Sequence, residues 1–356
     1  MKKKYYLSEV ALVPEISSMI TSRADITTTD EFGKSPFWVA PMDTVVDATN
    51  YNWFLEQNIN VILTRKEWKK IEFIPYSSNF WIALTLDEAF ELYTESQLHD
   101  SIFQLKEFVG KMIKTNGTAK ILIDVANGHM ERLYTIGAKL KNKYGDKISL
   151  MGGNIANPDS ITLADGIFDY IKIGIGGGSR CLTSTKTGIH YPLGSLIMDT
   201  LKVIKKKKLN VRLIADGGIS SIGDAIKAIA LGADVMMGKM FNGTIEASTI
   251  TRIIKNDYVN DWNGDKSDLI SLFRATREKQ TFQNLYRGMS TIEVQKKEEK
   301  TVIKPAEGFT DWNPVTHTVE ELVNELNFAL SSSMSYCGCL ELDEYKGKKH
   351  KWVRLV

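Results

Sequence analysis

A glycine-rich stretch followed by a cysteine is the part of this sequence whose residue types suggest chemistry most directly. Four glycines occur within residues 174–178, and Cys181 follows shortly after them. Glycines let backbone groups approach a ligand without a side-chain clash, so this loop suits a phosphate through N–H groups or a monovalent cation through C=O groups. A thiol on such a loop is a candidate nucleophile, and Thr183 is placed to relay a proton.

Two later loops have the composition of a phosphate site. Asp216 ends an apolar run and is followed by Gly217 and Gly218, while Gly238 and Lys239 follow the next apolar run. A carboxylate can accept hydrogen bonds from a ribose diol, and glycine amides at the start of a helix can bind a phosphate. We expect the two loops to be neighbours on one face of the fold and to hold a phosphorylated ligand.

These loops need a scaffold of parallel strands whose carboxyl ends meet on one side. Eight short apolar runs without polar alternation predict strands covered on both faces. They lie at residues 37–40, 60–64, 80–84, 120–125, 148–153, 170–174, 212–215 and 234–238. Helical spacing separates several of them, for example at Leu133, Ile136 and Leu140. The predicted fold is α/β, a (β/α)8 TIM barrel with its chemistry at the carboxyl ends of the strands.

We predict that residues 1–356 form a single barrel domain. Residues 242–317 are polar, with clustered lysines and glutamates and little periodicity. In a barrel such a segment is an insertion near the catalytic face. We expect this insertion to include a mobile flap over the active site.

Composition excludes several classes of protein. Hydrophobic residues make up 43% and charged residues 25%, which is typical of a globular chain. The 45 Lys and Arg nearly balance the 43 Asp and Glu, so charge gives no argument for nucleic acid. The sequence has no long apolar run that would predict a membrane span. Three cysteines do not form a disulfide framework, and we expect a cytoplasmic protein without a nucleic-acid or membrane partner.

Taken together, these motifs resemble the inosine-monophosphate dehydrogenase and guanosine-monophosphate reductase family. The resemblance extends over nearly the whole chain. It rests on the Cys181 loop and on residues 7–14, 40–45, 124–128, 152–154, 216–218 and 286–290. It implies the barrel fold predicted above and a homotetramer.

Within this family the sequence is more similar to the reductase. Residues 65–79 leave no room for the CBS modules that the dehydrogenase usually carries. Residues 186–192 resemble the reductase motif KTGxGYP, and residues 298–302 resemble its motif EGKTV. Between Thr291 and Lys300 the chain has no Arg and no Tyr, whereas the dehydrogenase uses an Arg-Tyr pair in its flap as the hydrolytic base.

The resemblance implies the reaction GMP + NADPH + H+ → IMP + NH3 + NADP+. Cys181 would attack C2 of the purine, and Thr183 and Glu298 would protonate the departing amine. The resulting thioimidate would then accept a hydride from the nicotinamide, so that one difficult substitution is split into two steps. Glu299 is the alternative to Glu298, because it stands where the family motif has a glycine.

The resemblance also implies the residues that contact each ligand. Those for the nucleotide are Ser179, Asp216, Gly217, Gly218, Gly238, Lys239, Tyr286, Gly288, Met289 and Ser290. Those for the cofactor are Ser22, Arg23, Arg65, Asp124, Val125, Ala126, Ile175, Gly176, Ser332 and Ser335. The carbonyl groups of Gly176, Gly178 and Cys181 match the family's loop for a monovalent cation such as K+.

Departures from the reductase pattern leave two alternatives open. Leu182 and Ser184 replace a Thr and an Arg, and Gln295 replaces another Arg. The flap between Met289 and Glu298 is about ten residues shorter than the reductase's. One alternative is another enzyme on the same scaffold: a reductase for dGMP or a modified guanine nucleotide, or a dehydrogenase without CBS modules. The other is a purine-nucleotide-binding protein that has lost turnover.

Overall fold

Eight parallel strands close into a barrel, which confirms the predicted fold. The computed structural model describes residues 3–77, 79–94, 100–256, 258–297 and 305–355. After a short strand β1 (Val10–Val13), the barrel strands follow in chain order: β2 Phe37–Val39, β3 Asn60–Leu63, β4 Phe80–Leu84, β5 Ala119–Ile123, β6 Ile148–Ile155, β7 Tyr170–Ile173, β8 Arg212–Asp216 and β9 Asp234–Met237. Strand β2 pairs with both β3 and β9, which closes the barrel. The ends of the predicted strands differ from these by no more than two residues.

Helices connect the strands and pack around the barrel. They are α1 Tyr51–Glu56, α2 Leu86–Tyr93, α3 Asp100–Asn116, α4 Glu131–Tyr144, α5 Thr183–Thr187, α6 Leu193–Lys207, α7 Ile222–Leu231, α8 Lys239–Asn242, α9 Lys266–Thr276, α10 Ile292–Lys297, α11 Val319–Tyr336 and α12 Leu342–Gly347. Short 3-10 helices lie at Leu7–Glu9, Arg23–Asp25, Glu67–Lys70, Gly145–Lys147 and Pro158–Leu163. Within the described ranges, no helix has the length and apolar character needed to cross a membrane.

The interior of the barrel is filled by side chains. Trp38 on β2, Trp81 on β4 and Tyr170 on β7 all point inward, and each pair of their rings is 5.5 Å apart between centroids. Their strand neighbours point outward into the core beneath the helices, so the strands are buried on both faces. Because these rings fill the lower barrel, polar groups can meet a ligand only at the carboxyl ends of the strands.

The segment 242–317 contains regular structure that its weak periodicity does not reveal. Four strands, β10 Thr251–Lys255, β11 Tyr258–Asp261, β12 Thr281–Arg287 and β13 Thr310–Pro314, form an antiparallel sheet in the order β11-β10-β12-β13. Helix α9 contributes Leu269 and Phe273 to a small core of its own with this sheet. Residues alternate between buried and exposed clearly in β12, whereas β11 is exposed throughout, and this exposure obscures the strand pattern in the sequence.

Buried asparagines attach this sheet to the barrel just beyond β9. Asn284 Nδ2 donates hydrogen bonds to the carbonyl oxygens of Asn242 and Thr244, at 2.6 and 2.8 Å. Asn284 Oδ1 accepts a bond from Thr251 Oγ1 at 2.7 Å, and Asn313 Nδ2 donates to Asn242 Oδ1 at 3.0 Å. Side-chain amides thus satisfy buried backbone groups that neither the barrel nor the sheet pairs.

The C-terminal part of the chain returns to the amino end of the barrel. Lys346 Nζ on α12 lies 2.5 Å from Oδ1 of Asp234, the first residue of β9. Ser333, near the end of α11, shares a hydrogen bond of 2.7 Å with the hydroxyl of Tyr345 on α12. Strand β14 (Lys351–Arg354) then pairs with β1 in an antiparallel ribbon. Helix α11 therefore runs along the barrel and ends far from the carboxyl face.

We expect Asn284→Ala to lower the free energy of unfolding by about 3 kcal/mol, because two buried carbonyl groups lose their donor. Urea denaturation monitored by circular dichroism measures this change. Asn260→Ala on the exposed strand β11 is the matched control, for which we expect a change of less than about 0.5 kcal/mol. Equal effects of the two substitutions would contradict the role assigned to the buried asparagine.

Candidate active site

A cysteine, a threonine and a glutamate form a continuous hydrogen-bonded row at the carboxyl face of the barrel. The thiol of Cys181 lies 3.2 Å from Thr183 Oγ1, to which it donates. The hydroxyl of Thr183 in turn donates to Glu307 Oε2 at 2.7 Å. This row can carry a proton between the sulfur and the carboxylate, as activation of a thiol nucleophile requires.

Backbone contacts between two distant segments hold this row together. Cys181 pairs with Gly308 in an isolated antiparallel bridge, and the N–H of Leu182 donates to the carbonyl of Glu307 at 2.7 Å. The N–H of Glu307 donates to the carbonyl of Ser290 at 3.1 Å. The loop that carries the thiol is thus fixed against the chain that follows the flap, rather than against its own strand alone.

The carboxylate that contacts Thr183 is one that the sequence analysis did not select. Glu298 and its alternative Glu299 lie outside the described residues, and the contact is made by Glu307. Glu307, Gly308 and Thr310 keep the spacing of Glu, Gly and Thr in the motif EGKTV, which was the signal available in the sequence. Residues 298–302 match more letters of that motif, so matching by identity alone chose the earlier glutamate.

The position of Glu307 also changes the length of the flap. Counted to Glu307, the segment after Met289 is nine residues longer than when it is counted to Glu298. Most of the shortening inferred from the sequence therefore disappears. The longer segment, from Thr291 to Glu307, still contains no Arg and no Tyr.

Arg180 clamps the thiol loop onto the neighbouring sheet. Its guanidinium lies over the rings of Tyr286 and Phe309, at 5.4 and 5.1 Å from their centroids. Its Nη2 is 3.2 Å from Asp311 Oδ2, and the side chain is only 12% exposed. A cation between two aromatic faces and a carboxylate restricts the loop on which Cys181 lies.

The glycine loops that follow β7 and β8 lie side by side, and Tyr286 connects the loop after β9 to them. Gly174 has φ of +125°, and a Cβ there would lie 2.4 Å from the carbonyl oxygen of Asp216. A Cβ at Gly217 would lie 3.1 Å from the backbone nitrogen of Gly178. A Cβ at Gly238 would lie 2.8 Å from the hydroxyl of Tyr286. Side chains would close the space between these loops, so glycine is required for the loops to approach one another.

Tyr286 supplies a hydroxyl to this group of loops. Burial raises the pKa of Tyr286 to about 12, although a hydrogen bond with Ser179 and the charge of Arg180 act against that shift. The phenol therefore stays protonated at neutral pH and can donate a hydrogen bond to a phosphate oxygen. Lys239, the first residue of α8, is exposed beside the same loop.

A cluster of charged side chains lies at the top of the barrel interior, where Lys172 is buried and Arg65, Asp124 and Asp216 are partly exposed. Arg65 Nη2 is 3.0 Å from Asp124 Oδ2, and Lys172 Nζ is 3.2 Å from Asp216 Oδ2. Asn154 Nδ2 donates to the same oxygen of Asp216 at 2.9 Å. The structure thus joins Arg65 and Asp124, predicted for the cofactor, to Asp216, predicted for the nucleotide. Val125 and Ala126 follow Asp124 in the loop after β5.

Two of the three carbonyl groups predicted to bind a monovalent cation, those of Gly176 and Gly178, accept hydrogen bonds. Gly176 O accepts one from Ser184 Oγ at 3.1 Å, and Gly178 O accepts one from the N–H of Cys181 at 3.0 Å. Ile175 O accepts one from His190 Nδ1 at 2.8 Å. A carbonyl oxygen has two lone pairs and can accept a hydrogen bond and coordinate a cation at the same time, so these oxygens still suit a weakly bound cation such as K+.

Four predicted cofactor residues lie away from Cys181. The guanidinium of Arg23 packs over the ring of Phe328 on α11, at 4.8 Å. Ser332 and Ser335 lie on the same helix, beyond Phe328, and Ser22 caps the turn that carries Arg23. At about 1.5 Å per residue, Ser332 is about 20 Å along the helix from its start at the carboxyl face. Within one chain these residues do not meet the thiol loop.

The fold and the site define a TIM-barrel protein in which a thiol, a hydroxyl and a carboxylate act beside loops that suit a phosphate. The family model described as IMP dehydrogenase / GMP reductase domain matches residues 105–355, and the chain belongs to this family of oxidoreductases. Members of the family bind purine nucleotides and use nicotinamide cofactors.

Relatives with both names are similar to this chain. An inosine-5'-monophosphate dehydrogenase of Chlorobaculum parvum and a GMP reductase of Leishmania donovani are each 32% identical over 242 residues. Each of these alignments covers 67% of this chain but only 46% of the relative, so the chain matches just under half of their length. A GMP reductase of Lactobacillus acidophilus is 28% identical over 346 residues, which is 95% of this chain and 91% of the relative.

We expect iodoacetamide at pH 8 to modify Cys181 before the other two thiols. Cys181 is partly exposed, whereas Cys337 and Cys339 are buried. Burial raises the pKa of Cys337 and raises that of Cys339 to about 11, which keeps both in the unreactive thiol form. Mass spectrometry of the peptides measures the order of labelling, and labelling in urea is the control in which all three react. Earlier modification of Cys337 or Cys339 in the folded protein would contradict this assignment.

Proposed function

We propose that this protein is a reductase that converts GMP to IMP and ammonia with NADPH. The observation that carries this proposal is the row from Cys181 through Thr183 to Glu307. Deamination needs a group that protonates the leaving amine, and this row supplies one beside the sulfur. The dehydrogenase reaction needs a base that activates water, and the segment from Thr291 to Glu307 lacks the Arg-Tyr pair used for it.

The contacts of the row give each of its groups a task. As the sulfur of Cys181 attacks C2 of the purine, its proton passes to Thr183 and the proton of Thr183 passes to Glu307. The C2–N bond then breaks, and the protonated Glu307 returns a proton through Thr183 to the departing amine, which leaves as ammonia. The thiol proton thus ends on ammonia, and the purine remains bound to sulfur as a thioimidate. NADPH, when bound, would supply a hydride to C2; the C2–S bond would then break to release IMP, and the thiolate of Cys181 would take up one proton from solvent.

The loops around the thiol are suited to hold the nucleotide. Asp216 would accept hydrogen bonds from the ribose, and the amides of Gly217, Gly218 and Gly238 would bind the phosphate. Tyr286 and Ser179, which are hydrogen-bonded to each other, would add hydroxyl donors beside the phosphate, and Lys239 would add a positive charge. Gly288, Met289 and Ser290, which connect β12 to the flap, would line the base.

The cofactor would lie against Arg65, Asp124, Val125 and Ala126 on the other side of the thiol. Ile175 and Gly176 border the same space. A cation held by the carbonyl groups of Gly176, Gly178 and Cys181 would stiffen the loop that carries the nucleophile. These groups are backbone atoms, so the site would depend on loop conformation rather than on charged side chains.

A second copy of the chain would complete the cofactor site. Ser22, Arg23, Ser332 and Ser335 match cofactor contacts, yet they lie on a different side of the molecule from Cys181. Exposed apolar side chains surround them: Ile16, Met19, Phe328 and Tyr336 are between 62% and 97% exposed. Such a patch marks a surface that another protein covers. We infer that it packs against a neighbouring chain of a homotetramer and brings these residues to that chain's active site.

Loss of NADPH absorbance with GMP tests the proposed reaction. The purified protein is expected to consume one NADPH for each IMP and each ammonia formed, and chromatography identifies the products. Cys181→Ala is expected to abolish turnover. Consumption with dGMP but not with GMP, or reduction of NAD+ with IMP, would instead favour another enzyme on this scaffold. If none of these pairs reacts, the result would favour the alternative of a nucleotide-binding protein that has lost turnover.

The same assay tests which glutamate completes the row. Glu307→Gln is expected to slow ammonia release by about a hundredfold, the size typical for loss of a general acid. Glu293→Gln on α10 provides a matched substitution within the flap and is expected to change the rate less than about threefold. If Glu298→Gln slowed ammonia release more than Glu307→Gln did, the role of general acid would return to Glu298.

Mixed oligomers test the inference that two chains share a cofactor site. Cys181→Ala and Arg23→Ala are expected to be inactive or weak alone. When the two variants are co-expressed, about a quarter of the sites combine an intact thiol with a neighbour's intact arginine and regain activity. If the activity of the mixture only equalled the average of the two variants measured alone, Arg23 would not belong to the neighbouring chain's site.

A further inference from the structure

Lys172 is a buried cation on the inner wall of the barrel, and the proposed reaction assigns it no role. Its side chain is 5% exposed. Tyr170, two residues earlier on β7, points into the aromatic layer that fills the lower barrel, and alternation along a strand points Lys172 inward as well. Lysine is almost never buried in this way unless its charge is paired. Its partners therefore indicate why it is there.

The ammonium group of Lys172 lies between two carboxylates that are proposed for different ligands. Nζ is 3.2 Å from Oδ2 of Asp216, which is proposed to bind the ribose of the nucleotide. It is 3.7 Å from Oδ1 of Asp124, which is proposed to bind the cofactor. Strand β7 pairs with β8 and is separated from β5 only by β6, so one long side chain can reach both residues.

Each carboxylate also has a second donor. Asn154 Nδ2 is 2.9 Å from the same Oδ2 of Asp216 that Lys172 contacts. Among the hydrogen bonds of the described residues, Oδ1 of Asp216 is thus the oxygen left for a ligand hydroxyl. Arg65 Nη2 holds Oδ2 of Asp124 at 3.0 Å and leaves the opposite oxygen to Lys172. Removing Lys172 would therefore release one side of both carboxylates at once.

The charges of this cluster are interdependent. Burial by itself would lower the pKa of Lys172, but Asp216 and Asp124 hold that pKa above its ordinary value. Burial by itself would raise the pKa of Asp124, but Arg65 and Lys172 hold that pKa below its ordinary value. The two cations keep Asp124 ionised at neutral pH, ready to accept hydrogen bonds.

We propose that Lys172 is a positioning residue shared by the nucleotide and cofactor sites. One ammonium group fixes Asp216 toward the ribose and Asp124 toward the nicotinamide nucleotide. The inference rests on the proposed function, which assigns those two carboxylates to the two ligands. Its specific consequence is that loss of one side chain weakens both ligands together, whereas loss of a residue that serves a single site weakens only one.

Titration calorimetry of the full-length protein with GMP and, separately, with NADPH tests this inference. Lys172→Met is expected to raise the Kd of each ligand at least about tenfold, because two partly buried carboxylates lose a charged partner. Lys172→Arg keeps the positive charge beside both carboxylates and is expected to keep both Kd values closer to wild type than Lys172→Met does. If Lys172→Met does not fold, Lys172→Gln replaces it, since its amide still donates but carries no charge.

Lys141→Met is the matched control. Lys141 Nζ is also 3.2 Å from an aspartate, Asp169, but it lies on α4 away from the carboxyl face. We expect this substitution to reduce stability without changing either Kd. Comparison of the two lysines separates a general effect of breaking an ion pair from an effect on ligand binding.

The pH dependence of NADPH binding gives a readout that a purely structural role would not change. In wild type, Arg65 and Lys172 both depress the pKa of Asp124, so binding persists as the pH falls toward that low value. With Lys172→Met only Arg65 remains, the pKa of Asp124 rises, and the acid limit of binding moves to higher pH. With Lys141→Met the acid limit is expected to stay where it is in wild type.

The outcomes distinguish failure of the inference from failure of the proposed function. Wild-type protein that binds GMP and NADPH, with unchanged affinities in the Lys172 variants, would overturn the role of Lys172 alone. Weakening of only one ligand, or an unshifted acid limit, would also overturn it. Wild-type protein that binds neither ligand would overturn both the inference and the function on which it rests.

Discussion

The alternation of side chains along a closed parallel barrel is the constraint on which the rest of this structure depends. Every second residue of each strand must enter a space too small for a free cavity. Trp38, Trp81 and Tyr170 fill the lower part of that space. The next inward positions, including Lys172, therefore lie at the upper end, where polar groups can pair with one another and reach a ligand. The chemistry is confined to the carboxyl face because the remainder of the barrel is occupied.

The conformation of the loop that carries Cys181 is fixed by contacts with segments outside the barrel. Cys181 follows β7, but its hydrogen-bonded row is completed by Glu307, which lies 124 residues from Thr183 in the chain. The bridge from Cys181 to Gly308 and the packing of Arg180 against the extra sheet keep these segments together. The buried asparagines that fix the sheet to the barrel therefore contribute indirectly to the geometry of the thiol.

The charge cluster connects the two halves of the proposed site. Four charged side chains can lie together here because cations and carboxylates alternate, each carboxylate has two donors, and only Lys172 is fully buried. Lys172 is the member common to both carboxylates. The arrangement gives a physical reason why both proposed ligands would depend on one side chain of the barrel wall.

Local residue patterns and short spacings were enough to predict the eight strands, the order of the loops and the position of Cys181 and Thr183. The assignment of Glu307 needed the folded chain, since two segments resemble the same motif and Glu307 is the residue that contacts Thr183. The position of Arg23 over Phe328 and the two partners of Lys172 needed the folded chain as well. Contacts between residues distant in the chain depend on how elements pack, and local residue patterns do not encode that packing.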